Sequence, residues 1–514
     1  MSKFNETVER EQITNYMGAK AYKQTPKEEL AFAVLTTFVE SSYYEAKDKR
    51  LERIQALVKQ IAKKDPEYVA KLAVYARTKF NMRSVFPVLV GELSKNHKGT
   101  TLVRRTIAKG TTRVDDLTEL AAYLGAKELS SSVKRGIADA LNKFDSYAMA
   151  KYRGDDKEVS LVDLVNLVHP RANNEKTATA LKALMNGELK NTDTWESQMS
   201  SGKSAKDTFN DLIDQKKLGY MALLRNLRNI VKTGDSALVE KAAAIIGNKE
   251  QVLKSKQLPF RFISAFTALD EIGEESFNSA PVLKFEKDSD AIATLQNAIN
   301  KALEVSVENI PLLEGRTMIL SDNSGSMGGD GGGSSLVSAM SKRNTANIAN
   351  LFATLYWSRA NNTLVGLFGD KLITPSLDRT KSIMENFKKV QKESEKCGPA
   401  TEEGAFTAFE QLIKSKTIVD RIVVFSDCQL GRGCAFFDSK GRQGAGFNSL
   451  VRQYREINPN VRIYTVDLKG YGNSATTDEG MLKLTGWSEK IFEIMEQSEI
   501  KPQAMVEEIE KLEI

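Results

Sequence analysis

Thr317-Met318-Ile319-Leu320-Ser321-Asp322-Asn323-Ser324-Gly325-Ser326 decides the fold of the C-terminal part of this 514-residue chain. Four residues with apolar side chains or methyls lead into an aspartate and a tight turn carrying two more hydroxyls in a D-x-S-x-S pattern. Working outward, three similar apolar runs follow at Leu364–Phe368, Ile422–Phe425 and Val461–Val466. Runs that are apolar on both faces belong to a parallel sheet covered by helices. Helical segments fit between them over 335–359, 380–390, 403–415 and 446–457. The pattern predicts a doubly wound α/β domain over 311–514, whose ligands bind beyond the carboxyl ends of the strands. Asp427 stands at that same edge, one serine after the Ile422–Phe425 run. The loop Cys397-Gly398-Pro399-Ala400-Thr401 can add a hydroxyl from a neighbouring strand end. Two carboxylates and three hydroxyls are hard oxygen donors, suited to a small cation such as Mg²⁺ or Mn²⁺ that keeps some of its waters. The candidate metal ligands are therefore Asp322, Ser324, Ser326, Thr401 and Asp427.

Upstream of Pro311 the chain changes character. Residues 1–310 hold 13 glycines and the last 204 hold 20. Long helices exclude glycine, whereas strand–loop–helix turns demand it. Leu30, Val34 and Phe38 recur at helical spacing, and Asp65-Pro66 is a helix start with Pro at the first helical position. Further helical stretches run near 84–94, 115–123, 131–144, 160–168, 176–185, 205–213, 218–232, 235–246, 258–270 and 288–306. Helix after helix with short turns predicts an irregular α-solenoid over 1–310.

Charge divides at the same place. The chain carries 73 Lys+Arg against 67 Asp+Glu, a net of +6. From Pro311 onward there are 25 basic and 26 acidic residues, so residues 1–310 hold 73 − 25 = 48 and 67 − 26 = 41, a balance of +7. A polyanion partner is expected on the helical part. No apolar run is long enough to span a membrane. The opening residues carry no apolar core behind their charges, as a secretory signal would need. Cys397, Cys428 and Cys434 are an odd number in a long chain, which argues for a reducing, cytoplasmic setting and against a disulfide framework. Two histidines, His97 and His169, give no support to a structural zinc site or a hydrolytic triad. Gly202-Lys203-Ser204 ends like a phosphate-binding loop, but Ser197 stands where the first glycine belongs and no strand precedes it. Cys428 reads as a buried small residue rather than a nucleophile. A nuclease would need more acidic ligands around the cation. The extension Gly328-Gly329-Asp330-Gly331-Gly332-Gly333 reads as a plain loop insertion.

Particular basic side chains stand out on the helical part. On the expected helix over 218–232, Arg225, Arg228 and Lys232 are spaced three and four apart and share one face, with Leu224, Leu227 and Val231 on the roughly opposite one. On the helix near 131–144, Val133, Ile137 and Leu141 form the apolar face, leaving Arg135 opposite and Lys134 flanking. His169 and Arg171 surround a turn forced by Pro170.

Several blocks carry a family resemblance. Asp65-Pro66-Glu67-Tyr68-Val69 with Ala73–Arg77 and Asn81–Ser84, Val133–Asp139, Asp163–Arg171 and Ala222–Leu227 together resemble the Ro autoantigen family. Its helical ring is called the TROVE domain. Residues 311–514 resemble a von Willebrand factor A domain with its metal-ion-dependent adhesion site, although Gly398-Pro399-Ala400-Thr401 departs from the more usual Gly-Gly-Thr. The resemblance implies a HEAT-like helical ring joined to the A domain, and a non-enzymatic RNA-binding protein. It implies that single-stranded ends of misfolded RNA lie in a basic central hole and a small noncoding, Y-like RNA on the outer rim. It also implies an exoribonuclease tethered through that RNA, as in bacterial members, and a monomeric ring. Lys134, Arg135, His169 and Arg171 would then serve the outer RNA, and Arg225, Arg228 and Lys232 the single-stranded end. The alternative is a metal-dependent protein-adhesion scaffold with no role in RNA.

Overall fold

The computed structural model describes residues 12–14, 20–22, 25–36, 49–97, 100–189, 193–278, 289–329, 344–428, 447–469, 481–486, 490–500 and 504–514. Cys434, the expected insertion from Asp330 onward, and residues 335–343 of the helix expected over 335–359 lie outside them.

Up to Ser306 the described chain is helical apart from one short antiparallel pair, β1 (Gln12–Thr14) with β2 (Lys20–Tyr22). Helix starts follow from local side chains. Asp65 accepts from the Tyr68 amide with Pro66 at the first helical position, and Ser160 and Asp163 form a reciprocal capping box. Four helices at Thr100–Gly110, Ser146–Lys151, Trp195–Ser200 and Lys249–Ser255 were not expected from periodicity. Three of them have only six or seven residues, too short to show a period.

The expected single helix over 218–232 is two, Tyr220–Arg225 and Leu227–Val231. Asn226 between them adopts φ −102°, ψ 8°, and its buried amide donates to the Ala222 carbonyl at 2.8 Å. Side-chain competition of this kind interrupts helices. Leu224, Leu227 and Val231 are nonetheless buried, and Arg225 and Lys232 are exposed.

From Thr317 a six-stranded sheet follows: β3 (Thr317–Asp322), β4 (Thr363–Phe368), β5 (Leu372–Ile373), β6 (Arg421–Ser426), β7 (Arg462–Asp467) and β8 (Met481–Thr485), in the order β5-β4-β3-β6-β7-β8. All neighbours are parallel except β4 and β5. The chain moves from β3 to one side and then returns to β6 on the other, so the switch point lies at β3, between β4 and β6. Sequence reading missed β5, which has only two residues, and β8, whose Lys483 interrupts an apolar run; that ammonium lies 3.9 Å from Asp467 at the end of β7.

Alternate residues of the strands supply two cores. Met318, Leu320, Ile422 and Val424 pack with Phe406, Phe409, Phe447 and Tyr454 of the helices Glu403–Ser415 and Phe447–Ile457. Ile319, Val423 and Phe425 face Phe352 and Phe492 of Thr345–Arg359 and Lys490–Ile500. That second core is continuous with the core of the helical part. The last helix, Ala504–Glu510, packs on Pro26–Thr36 and Pro66–Thr78, burying Met505 and Ile509. The fold is thus a helical ring joined to an α/β von Willebrand A domain.

Candidate metal centre and nucleic-acid interface

Asp322 is the last residue of β3, and Asp427 follows β6 directly, so parallel pairing sets both carboxylates at the same sheet edge. Both are buried. Asp322 Oδ1 accepts from the Ser324 amide at 2.9 Å, and Oδ2 accepts from Ser426 Oγ at 2.6 Å. Burial first, and the neighbouring Asp427 carboxylate second, push the Asp322 carboxyl well above its ordinary value. Ser324 Oγ lies 3.2 Å from Ser326 Oγ, with Ser324 buried and Ser326 exposed at the mouth. Behind the turn, Asn350 Nδ2 donates to Asn323 Oδ1 at 2.8 Å, and Ser321 Oγ donates to Asn350 Oδ1 at 2.7 Å. A side chain at Gly329 would put its Cβ 1.7 Å from the Asn323 carbonyl, so only glycine fits where the loop folds back.

The Thr401 loop docks on this turn: the Gly325 amide donates to the Pro399 carbonyl at 2.7 Å. Thr401 is held by a residue that sequence reading missed. Its amide donates to Asp370 Oδ1, as does its hydroxyl at 2.8 Å. Asp370 N in turn donates to the Gly398 carbonyl at 3.0 Å. Gly398 has φ 80°, and a Cβ there would meet Asp370 Oδ2 at 2.3 Å. The clasp directs the Thr401 proton to Asp370, and the hydroxyl oxygen accepts from the Glu403 amide at 3.4 Å, leaving one lone pair for a further acceptor role. The available signal was position: Asp370 stands just past the Leu364–Phe368 run, at a third strand end. Lys469, beyond β7, also reaches the site by donating from Nζ to the Ser326 carbonyl.

Among the described residues no three His, Cys, Asp or Glu side chains cluster as metal ligands. The donor set here is instead two carboxylates and the hydroxyls of Ser324, Ser326 and Thr401. Adjacent buried carboxylates are costly when both are charged, and a hard divalent cation with oxygen preference is the species that offsets them. The residues present therefore fit Mg²⁺. Cys428 is buried, and burial pushes its thiol well above the ordinary range, in keeping with a packed small residue.

On the helical part, Lys134 and Arg135 lie on Ser131–Leu141, Lys134 half-buried and Arg135 exposed. His169 caps the end of Leu161–Val168 in the left-handed conformation, φ 45°, and is exposed, as is Arg171. Asn142, at the end of the first of these helices, ties the two elements together. Its Nδ2 donates to the Arg171 carbonyl at 3.0 Å, and its Oδ1 accepts from the Asn173 amide at 2.8 Å. Arg225 and Arg228 line one cleft of about 410 Å³ together with Arg261, which no sequence signal singled out; Lys232 is not in its wall.

The TROVE-domain family model matches residues 30–188 and 182–313, more than half of the chain. The chain belongs to the TROVE-domain family. Its members are RNA-binding proteins. This TROVE protein is also similar in fold to the Ro (RSR) protein of Deinococcus radiodurans, with a TM-score of 0.61 and 14% identity over 94% of this chain and 99% of that one. Telomerase protein component 1 of Rattus norvegicus is 38% identical over 85 residues, and that of Mus musculus 36% over 85. Those matches span 16% of this TROVE chain and 3% of the length of the relatives. No helix among the described residues is long and apolar enough to cross a membrane.

Proposed function

We propose that this protein is a non-enzymatic, Ro-type RNA-binding protein of the cytoplasm that acts in quality control or maturation of noncoding RNA. The observation that carries the reading is that the TROVE match, 30–313, falls on the part of the chain that holds all of the excess positive charge. Lys and Arg there neutralise phosphates, so affinity falls steeply with salt. Lys134, Arg135, His169 and Arg171 bind a structured, Y-like RNA, and the tie through Asn142 supports treating them as one surface. Arg225, Arg228 and Lys232 bind the single-stranded end of a misfolded RNA. An exoribonuclease recruited through the Y-like RNA would act on that end, and the ring works as a monomer.

The A domain holds Mg²⁺ through Asp322, Ser324, Ser326, Thr401 and Asp427, directly or through water. When bound, the cation supplies a coordination position for an acidic group of a partner. These residues bind and orient it, and none of them transfers a proton. The buried carboxylate pair is also the observation that favours the second reading, a metal-dependent protein-adhesion scaffold.

Replacing Arg225, Arg228 and Lys232 together by alanine should weaken a single-stranded RNA end more than a structured RNA. Replacing Lys134, Arg135 and His169 together should do the reverse. If both triple variants bind both RNAs as the parent does, in titrations at two salt concentrations, the helical ring is no RNA platform and the adhesion reading takes over.

A further inference from the structure

The broken helix described above builds a cavity as well as a basic stripe. The interruption at Asn226 leaves Arg225 at the end of one short helix and Arg228 in the first turn of the next, both on the wall of the 410 Å³ cleft. The opposite wall is the helix Pro259–Asn278, which contributes Arg261, Ser264, Ala265 and Ala268 at spacings of three, one and three along one face. The small side chains leave the space, and Leu224 and Leu227 supply an apolar floor. Arg261 is fixed with its guanidinium 4.6 Å from the centroid of the Phe260 ring. Among the described residues that line the cleft, three carry guanidiniums.

Phosphate contact alone needs only a charged surface and no cavity. A cavity of this size with an apolar floor and a few charged groups at its wall is what a small amphiphilic ligand fills. Single-stranded RNA presents such a ligand once per residue, an unstacked base beside an anionic phosphate, and proteins take such bases on apolar and guanidinium surfaces. We propose that this cleft receives one unstacked nucleotide of single-stranded RNA, its base against Leu224, Leu227 and the Ala265–Ala268 face and its phosphate among Arg225, Arg228 and Arg261. This rests on the RNA-binding reading and adds that the base itself is held.

Two variants fill the cavity without touching a charge. Ser264→Leu is at an exposed position and Ala268→Leu at a half-exposed one, so each should fold, as thermal melting will verify. Binding of the full chain is measured by fluorescence anisotropy with a labelled oligouridylate and with an abasic oligomer carrying the same number of phosphates. Both variants should lower oligouridylate affinity about tenfold, to near that of the abasic oligomer, and leave abasic binding and the salt slope unchanged. Arg261→Gln should weaken both probes and reduce the slope of log affinity against log salt by about 0.7. If the leucine variants bind oligouridylate as the parent does, or lose both probes equally, no base occupies the cleft. An oligoglutamate peptide that displaces the RNA from the parent but not from Arg261→Gln would assign the cleft to an acidic peptide and overturn the nucleotide. Failure of the parent to bind oligouridylate at all would instead remove the RNA reading itself.

Discussion

Asp370 would act on the cation proposed for the Asp322 site without touching it. It takes both the amide and the hydroxyl proton of Thr401, and so sets which way that hydroxyl faces. Residues that orient ligands typically contribute 10–100-fold to metal affinity. Asp370→Ala should therefore weaken Mg²⁺ binding by roughly that factor while leaving the metal-free protein folded, measured as the dependence of melting on Mg²⁺ concentration. Asp322→Ala should abolish that dependence altogether; a variant still stabilised by Mg²⁺ like the parent would take the ion elsewhere. A different kind of residue is Arg77, buried with Asp116 in a bidentate pair, Nε to Oδ2 and Nη2 to Oδ1 both at 3.1 Å. Asp116 Oδ2 also accepts from the amides of Thr112 and Arg113. Removing the guanidinium strands a buried charge, so Arg77→Ala should cost about 3–5 kcal/mol of stability in denaturant unfolding.

Among the elements, the helices Thr100–Gly110 and Ser131–Leu141 meet at Gly136, where a Cβ would lie 2.9 Å from Ile107 Cβ and 3.1 Å from the Arg104 Cα. Alanine in a helix interior normally gains about 1 kcal/mol over glycine. Here the neighbour is partly backbone and cannot yield, so Gly136→Ala should destabilise by about 1–3 kcal/mol instead. The same contact positions the helix that presents Lys134 and Arg135, and the variant should weaken structured RNA as well. Long elements such as Pro66–Thr78 and β3 were legible because burial on one face or both imprints a period or an apolar run. Asn226 was not legible as a break, because asparagine is compatible with either helix or cap and only the Ala222 carbonyl decides. Lys483 hid β8 for a related reason: its charge is tolerated in a strand because Asp467 stands on the next one. At the sheet edge, Asp322 and Asp427 could be read from strand ends. Asp370 could not be given its role, since its bond to Thr401 crosses 31 residues. Arg261 likewise meets Arg225 and Arg228 only through the packing of separate helices.

At the scale of the whole molecule, the helix Ala504–Glu510 ties back to the helices Pro26–Thr36 and Pro66–Thr78. Ile509 is fully buried, and Lys27 pairs with Glu510 at 2.6 Å while Lys71 Nζ donates to the Glu510 carbonyl at 2.7 Å. The exposed ion pair contributes little, about 0–1 kcal/mol, so the apolar contact should dominate. Ile509→Asp should lower the melting temperature markedly and raise amide exchange across Pro26–Thr36, whereas Glu510→Gln should leave both near the parent values. The bond between Lys27 and Glu510 joins residues 483 apart in the chain. Ribosomes add roughly 5–20 residues per second, so tens of seconds separate the emergence of its two partners. Throughout that interval the helices Pro26–Thr36 and Pro66–Thr78 lack the partner that Ala504–Glu510 supplies, so their packing is completed only once residues 504–510 have been made.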